Sequence, residues 1–174
     1  MSFNLATILA ETALATPDAP VNIFSDVTTT YRELDEQSSL LAAGLSETGL
    51  SPGQVVALQL PNLPQFLTAY FGILKAGMVV LPLNPQLMAP EVEYQLADSG
   101  AAIMIGLSGM HAEADRACQR LGVPLYLVRT SAPLPPGTQR ATDLIGIAPR
   151  KIEFLDKLSP QFLEDETGNY QLMV

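Results

Sequence analysis

The sequence predicts an α/β fold in which helices cover both faces of a mainly parallel β-sheet. Between residues 55 and 128, short apolar runs alternate with segments whose apolar residues recur at the helical period. The intervening segments are long enough for the crossover that joins two parallel strands, about a dozen residues. The chain has 174 residues, of which 48 % are hydrophobic and 16 % charged, enough to bury a sizeable core.

The first part of the chain predicts a helix followed by a hairpin. Asn4 can cap a helix over residues 5–15, which Pro17 ends. Two short β-rich runs, 21–24 and 28–31, then predict an antiparallel pair.

A second helix is predicted up to Glu47. Thr30 and Glu33 have the spacing of a capping box, in which each residue satisfies a backbone amide of the other. Gly49 marks the end of this helix.

After this helix, predicted strands and helices alternate along the chain. Its predicted elements, in chain order, are strand 55–60, helix 64–76, strand 78–83, helix 90–97, strand 102–105, helix 110–121 and strand 125–128. The apolar stretch 66–83 is interrupted by Lys75, Gly77 and Pro82, so it predicts a helix and a buried strand and no transmembrane segment. We expect Gly77 to end that helix in a left-handed turn.

Three regions are predicted along the chain. Residues 1–129 form the α/β subdomain, 130–142 a loop rich in Pro, Ser and Gly, and 143–174 a tail. Within the last two regions, a short helix at 142–147 and a strand at 151–155 are predicted.

Charge and cysteine content limit the partners. A net charge of −9 argues against nucleic acid, because binding to phosphates requires a basic surface. Cys118 is the single cysteine, and no basic-flanked apolar leader opens the chain. These features predict a reducing, cytoplasmic location.

Candidate catalytic and metal-binding residues have simpler structural interpretations. His111 and Cys118 lie about two turns apart on one predicted helix, roughly 10 Å, which is too far for a base and its nucleophile. The charged residues nearby are typical of solvated helix faces: Glu91, Glu93, Asp98, Glu113, Asp115, Arg116 and Arg120. The sequence has no metal-ligand spacing, and we predict no catalytic, cofactor-binding or metal-binding residue.

A phosphate-binding loop is not encoded either. Gly100, Gly106 and Gly109 do not make a GxGxxG or GxxxxGK[ST] pattern, and the nearest lysine is Lys75.

Three aromatic side chains precede Lys75 on the predicted helix 64–76. Phe66, Tyr70 and Phe71 have the spacing of residues that pack in a core, and we favour this over a ligand-binding role.

Several segments, in order, resemble one enzyme family. They are TYRELDEQSSLLAAGL (30–45), GLSPGQVVALQLPNLPQFLTAYFGILKAGMVVLPLNPQL (49–87) and YQLADSGAAIMI (94–105). Together they resemble the N-terminal region of acyl-CoA synthetases, members of the adenylate-forming superfamily that includes luciferases and peptide-synthetase adenylation domains. The resemblance covers about residues 3–128, and LKAG…PLNP followed by DSGA is its most specific part.

The resemblance implies an ATP-dependent reaction in two halves. A carboxylate attacks the α-phosphate of ATP to give an acyl-adenylate and pyrophosphate, and a thiol such as CoA then displaces AMP. In this family Mg²⁺ and a loop similar to YTSGTTGxPKG neutralise the phosphates. The chain does not contain that loop, so it carries no cofactor site of its own and we expect it to be inactive alone.

The tail admits two interpretations. Residues 164–174, EDETGNYQLMV, are similar to the acidic segment that precedes the phosphate loop in the family, which implies truncation. Residues 147–158, IAPRKIEFLDKL, are similar to the segment before the catalytic lysine of the small C-terminal domain, which implies an internal deletion. In the second case Asp165 or Asn169 would occupy the lysine position, and neither can replace a lysine. We favour truncation.

The functional prediction is therefore the N-terminal portion of an acid:CoA ligase for a fatty or other carboxylic acid. The alternative is a stand-alone interaction module derived from that family. Because an absent lobe leaves apolar surface or unpaired strand edges, we expect the chain to bind the remainder of such an enzyme or to self-associate. A Rossmann-like nucleotide binder is disfavoured, since no glycine fingerprint follows a strand.

Overall fold

The structure is a computed structural model and describes residues 4–24, 27–128 and 139–140. Its elements are α1 Ala6–Ala15, β1 Pro20–Phe24, β2 Val27–Thr30, α2 Tyr31–Glu47, β3 Val55–Gln59, α3 Pro64–Lys75, β4 Val79–Pro82, α4 Ala89–Ser99, β5 Ile103–Leu107, α5 Ala112–Leu121, β6 Leu125–Val128 and β7 Gln139–Arg140. Every element predicted up to residue 128 is present. The helix and the strand predicted at 142–147 and 151–155 lie outside the described residues.

The strand β7 was not predicted. Its two residues lie within the segment predicted as a loop, and they pair in parallel with Tyr126 and Leu127 of β6. Two residues carry no detectable period, so a strand this short leaves no pattern in the sequence.

Two predicted caps are present and fix the beginnings of α1 and α2. The Thr30 amide donates to Glu33 Oε2 at 2.8 Å, and the Glu33 amide donates to Thr30 Oγ1 at 3.3 Å, which confirms the capping box. At the start of α1, Asn4 Oδ1 accepts from the Ala6 amide at 2.9 Å. Its Nδ2 donates to the Leu74 carbonyl at 2.8 Å, so Asn4 also ties α1 to α3.

The five strands β3 to β7 form one parallel sheet in the order β4-β3-β5-β6-β7. A separate antiparallel hairpin, β1 with β2, precedes them. Each crossover from β3 to β6 contains one helix, α3, α4 or α5. The predicted mainly parallel α/β fold is thus confirmed.

Helices cover both faces of the sheet, as predicted. In a strand, successive side chains point to opposite faces. On one face, β3 and β5 pack with α2 and α3 in a cluster of buried residues that includes Leu41, Leu45, Val56, Leu58, Ile73, Ile103 and Ile105. On the other face they pack with α4 and α5 in a second cluster that includes Ala57, Val92, Leu96, Met104, Ala114 and Ala117.

Helices α2 and α3 approach each other closely at Gly72. A Cβ atom built on Gly72 would lie 2.9 Å from the Cβ of Leu41, closer than real Cβ contacts. The absence of a side chain at Gly72 therefore sets the distance between these helices.

The strand β4 is one edge of the sheet. The Val79 amide donates to the carbonyl of Gln54, just before β3, and the Leu83 amide to that of Leu58, so the backbone amides between them alternately face outward. Pro82 occupies one of these outward-facing positions, where it has no backbone N–H to donate to an added strand. A proline at an edge position limits the addition of another strand there.

The apolar stretch 66–83 is divided between α3 and β4, as predicted. None of the helices in the described part of the chain is both long and apolar enough to cross a membrane.

Gly77 has the left-handed conformation predicted for it. Its φ is +74°, and its carbonyl accepts from the Gly53 amide at 2.8 Å. A Cβ atom at this position would lie 3.3 Å from the Cβ of Pro52. Residue 77 thus ends α3 and turns the chain into β4 next to the loop before β3.

We predict that Gly77→Val lowers the free energy of unfolding by more than about 1–2 kcal/mol, because a β-branched residue is strained at positive φ and meets Pro52. Gly49→Val is the matched control, since φ there is +82° and no atom lies within 4 Å. The Gly49→Val variant should lose only the free energy of backbone strain. Urea denaturation followed by circular dichroism measures both, and an unchanged midpoint for Gly77→Val would contradict the prediction.

Candidate functional site

The strand order identifies one crevice as the candidate site. From β3 the chain passes to β4 on one side, and the next strand, β5, lies on the other side of β3. The helices that follow β3 and β5 lie on opposite faces. In open parallel sheets, ligands bind outside the carboxyl ends of the strands where the order reverses in this way. We name residues 59–65, 83–89 and 108–111, which follow β3, β4 and β5, the carboxyl edge.

A hydrogen bond joins two parts of the carboxyl edge. Gln59 is 5 % exposed, and its Nε2 donates to the Asn84 carbonyl at 2.9 Å. Asn84 Oδ1 accepts from the Gln86 amide at 2.9 Å. The loop after β4 is therefore held against the end of β3. Sequence reasoning missed this contact, because residues 25 positions apart leave no periodic signal.

His111 lies at the carboxyl edge, just before α5. Its Nδ1 contacts the carbonyl of Ser108, a buried residue whose amide donates to the Val128 carbonyl at 3.0 Å. A carbonyl oxygen only accepts, so Nδ1 carries the proton of this contact. In the neutral ring Nε2 is then the acceptor.

Two buried polar atoms have no hydrogen-bond partner among the described residues. They are Oε1 of Gln65, in the first turn of α3, and Oγ1 of Thr29, in β2. Both residues are about 95 % buried, with 5 % and 4 % of their surface exposed. Unpaired buried polar atoms are uncommon and carry a desolvation cost.

Cys118 is a buried free thiol. Its residue is 2 % exposed and its Sγ lies 3.5 Å from Met104 Sδ. Burial, and secondarily the negative charge of Asp115, raise the pKa of the Cys118 thiol to about 12. His111 immediately precedes the first residue of α5 and Cys118 lies two turns further along this helix, so the helix geometry keeps the two residues apart.

The charged residues of α4 and α5 lie at the surface, and some also connect the two helices. Glu113 Oε2 accepts from the Ala89 amide at 3.0 Å, which caps the start of α4. Glu113 also pairs with Arg116, and Arg120 pairs with Glu93 at 2.9 Å. The Glu113–Arg116 pair lies within α5, whereas the contacts of Glu113 with Ala89 and of Arg120 with Glu93 join two helices and could not be predicted from the sequence pattern.

Lys75 makes the most extensive polar contact between α2 and α3. Its Nζ donates to Asp35 Oδ1 at 2.6 Å, to the Asp35 carbonyl at 2.7 Å and to Ser39 Oγ at 2.9 Å. The Lys75 side chain is 14 % exposed. All three ammonium hydrogens therefore have partners, which makes Lys75 a structural residue.

The aromatic residues of α3 pack as predicted. The Phe66 and Tyr70 rings stack with centroids 6.0 Å apart, and Tyr70 meets Phe71 edge-on at 5.7 Å. Phe66 and Tyr70 contact the core cluster beneath α3.

Gly106 lies buried inside β5, where an added Cβ atom would be 3.3 Å from Leu127.

Within residues 4–24 and 27–128, no three His, Cys, Asp or Glu side chains are grouped so that they could hold a metal ion. Asp165 and Asn169 lie outside the described residues.

A family model described as AMP-binding enzyme matches residues 9–145. A long-chain-fatty-acid–CoA ligase of Salmonella typhimurium is 32 % identical over 160 residues, which cover 91 % of the chain and 28 % of the ligase. Surfactin synthase subunit 3 of Bacillus subtilis is 38 % identical over 104 residues, 60 % of the chain and 8 % of the synthase. The chain therefore spans less than a third of these relatives.

Solved structures agree with these matches. The N-terminal subdomain of NpsA from Klebsiella oxytoca, solved with anthranilyl-AMSN, has a TM-score of 0.57 and 31 % identity over 59 % of the chain and 27 % of that protein. A benzoate CoA ligase of Burkholderia xenovorans has a TM-score of 0.75 over 84 % of the chain and 29 % of that ligase. At 24 % identity, the second similarity supports the fold alone.

Replacing Lys75 tests its structural role. We predict that Lys75→Met lowers the free energy of unfolding by about 1–3 kcal/mol, because Asp35 and Ser39 lose a largely buried donor. Arg32→Met is the control, since its partner Asp18 is 85 % exposed, and it should change stability by less than about 0.5 kcal/mol. Chemical denaturation measures both variants. Equal losses would contradict a special role for Lys75.

The Cys118 thiol should make stability depend on pH in the alkaline range. An unfolded thiol ionises near its ordinary pKa of 9.0, whereas the folded one stays neutral up to about 12. The contribution to stability is therefore complete below pH 9 and is lost as the pH rises towards 12. The difference in unfolding free energy between the natural chain and Cys118→Ala should fall over this range. Parallel pH profiles would contradict this.

Proposed function

The chain belongs to the family of AMP-binding enzymes, and from this premise we propose that it serves as the N-terminal part of an acid:CoA ligase. The proposed reaction activates a carboxylic acid through an acyl-adenylate and then transfers the acyl group to CoA. The observation that carries the proposal is the family match over residues 9–145, which includes every strand of the parallel sheet.

The proposed substrate is a fatty or other apolar carboxylic acid. This rests on the Salmonella typhimurium relative, named as a long-chain-fatty-acid–CoA ligase and matched over 91 % of the chain. The match to surfactin synthase subunit 3 covers only 60 % of the chain and does not favour a fatty acid. A cytoplasmic location stays a prediction.

The proposed role of the described residues is structural support. Each Lys or Arg between residues 4 and 128 is engaged in an ion pair with a carboxylate: Arg32, Lys75, Arg116 and Arg120. ATP and CoA carry several negative charges, and Mg²⁺ requires oxygen ligands. Because the cations of residues 4–128 are already paired, we assign no reaction step to these residues and propose that other parts of the enzyme bind ATP, Mg²⁺ and CoA.

A second candidate is the interaction module. It is favoured by exposed large apolar side chains on three different elements: Leu14 of α1 is 85 % exposed, Ile23 of β1 70 % and Tyr94 of α4 69 %. Exposed apolar groups favour contact with another chain when they lie close together.

A chimera tests the enzyme proposal. Residues 4–128 would replace the aligned segment of the Salmonella typhimurium ligase, and acid-dependent exchange of pyrophosphate into ATP would be measured. We expect the chimera to retain exchange, because the supporting fold is preserved. The chain alone should show no more exchange than a boiled sample. A chimera that melts cooperatively but lacks exchange would contradict the proposal, and so would activity of the chain alone.

Sedimentation velocity tests the interaction module. If the exposed apolar side chains mediate association, the chain should self-associate with rising concentration. Salt should strengthen this association, because it screens the net charge of −9. Ile23→Lys should weaken it, with Asn62→Lys, at an exposed polar position outside the hairpin, as the control. A monomer at all concentrations, without binding of a hydrophobic dye, would contradict the module.

A further inference from the structure

We draw no further inference here: the strongest candidate, the two buried side chains of Thr29 at the end of the hairpin and Gln65 in the first turn of α3, leaves Oγ1 and Oε1 without partners among the described residues, but nothing in the structure joins them into one site or indicates which group would bind them.

Discussion

The two central strands, β3 and β5, are apolar on both faces, and this constraint organises the rest of the structure. All five residues of β5 are buried, as are the last four of β3. A strand of this kind is stable only when both faces of its sheet are covered. The short crossovers then place α3 on one face and α4 and α5 on the other, while α2 completes the first layer. The helix in each crossover carries the chain back along the sheet, so that the next strand runs parallel to the one before it.

Covering two faces requires each helix pair to pack closely, and different interactions achieve this on each face. On the first face, Gly72 allows α3 to approach Leu41, and Lys75 bonds across to Asp35 at the edge of the contact. On the second face, Glu113 caps α4 from α5. The polar contacts lie at the margins, where partial solvation reduces the cost of burying charge. The apolar contacts remain in the centre, where packing contributes most to stability.

Local patterns predicted most of this fold, and the contacts that they missed are long-range. The periods of 3.6 and 2 residues and the Thr30–Glu33 box are visible in short windows, as is the glycine at residue 77. The ion pair of Lys75 with Asp35 joins residues 40 positions apart, and no local sequence pattern around either residue predicts this contact. The candidate site shows the same limit. His111 could be singled out in the sequence by its residue type. The contact of Gln59 with the loop after β4 depends on the order of the strands in the sheet, which hydrophobic periodicity does not determine.

The electrostatics of the described residues favour a division of labour within an adenylate-forming enzyme. The four basic side chains of residues 4–128 are in ion pairs, and a net charge of −9 over the whole chain repels phosphate groups. Using one of these cations for a phosphate would leave its carboxylate unpaired, and for Lys75 it would also remove polar contacts between α2 and α3. At Lys75, the packing of α2 on α3 and the binding of a phosphate would therefore compete for the same charge. In the proposed enzyme, the charges for phosphate chemistry would then come from residues outside 4–128.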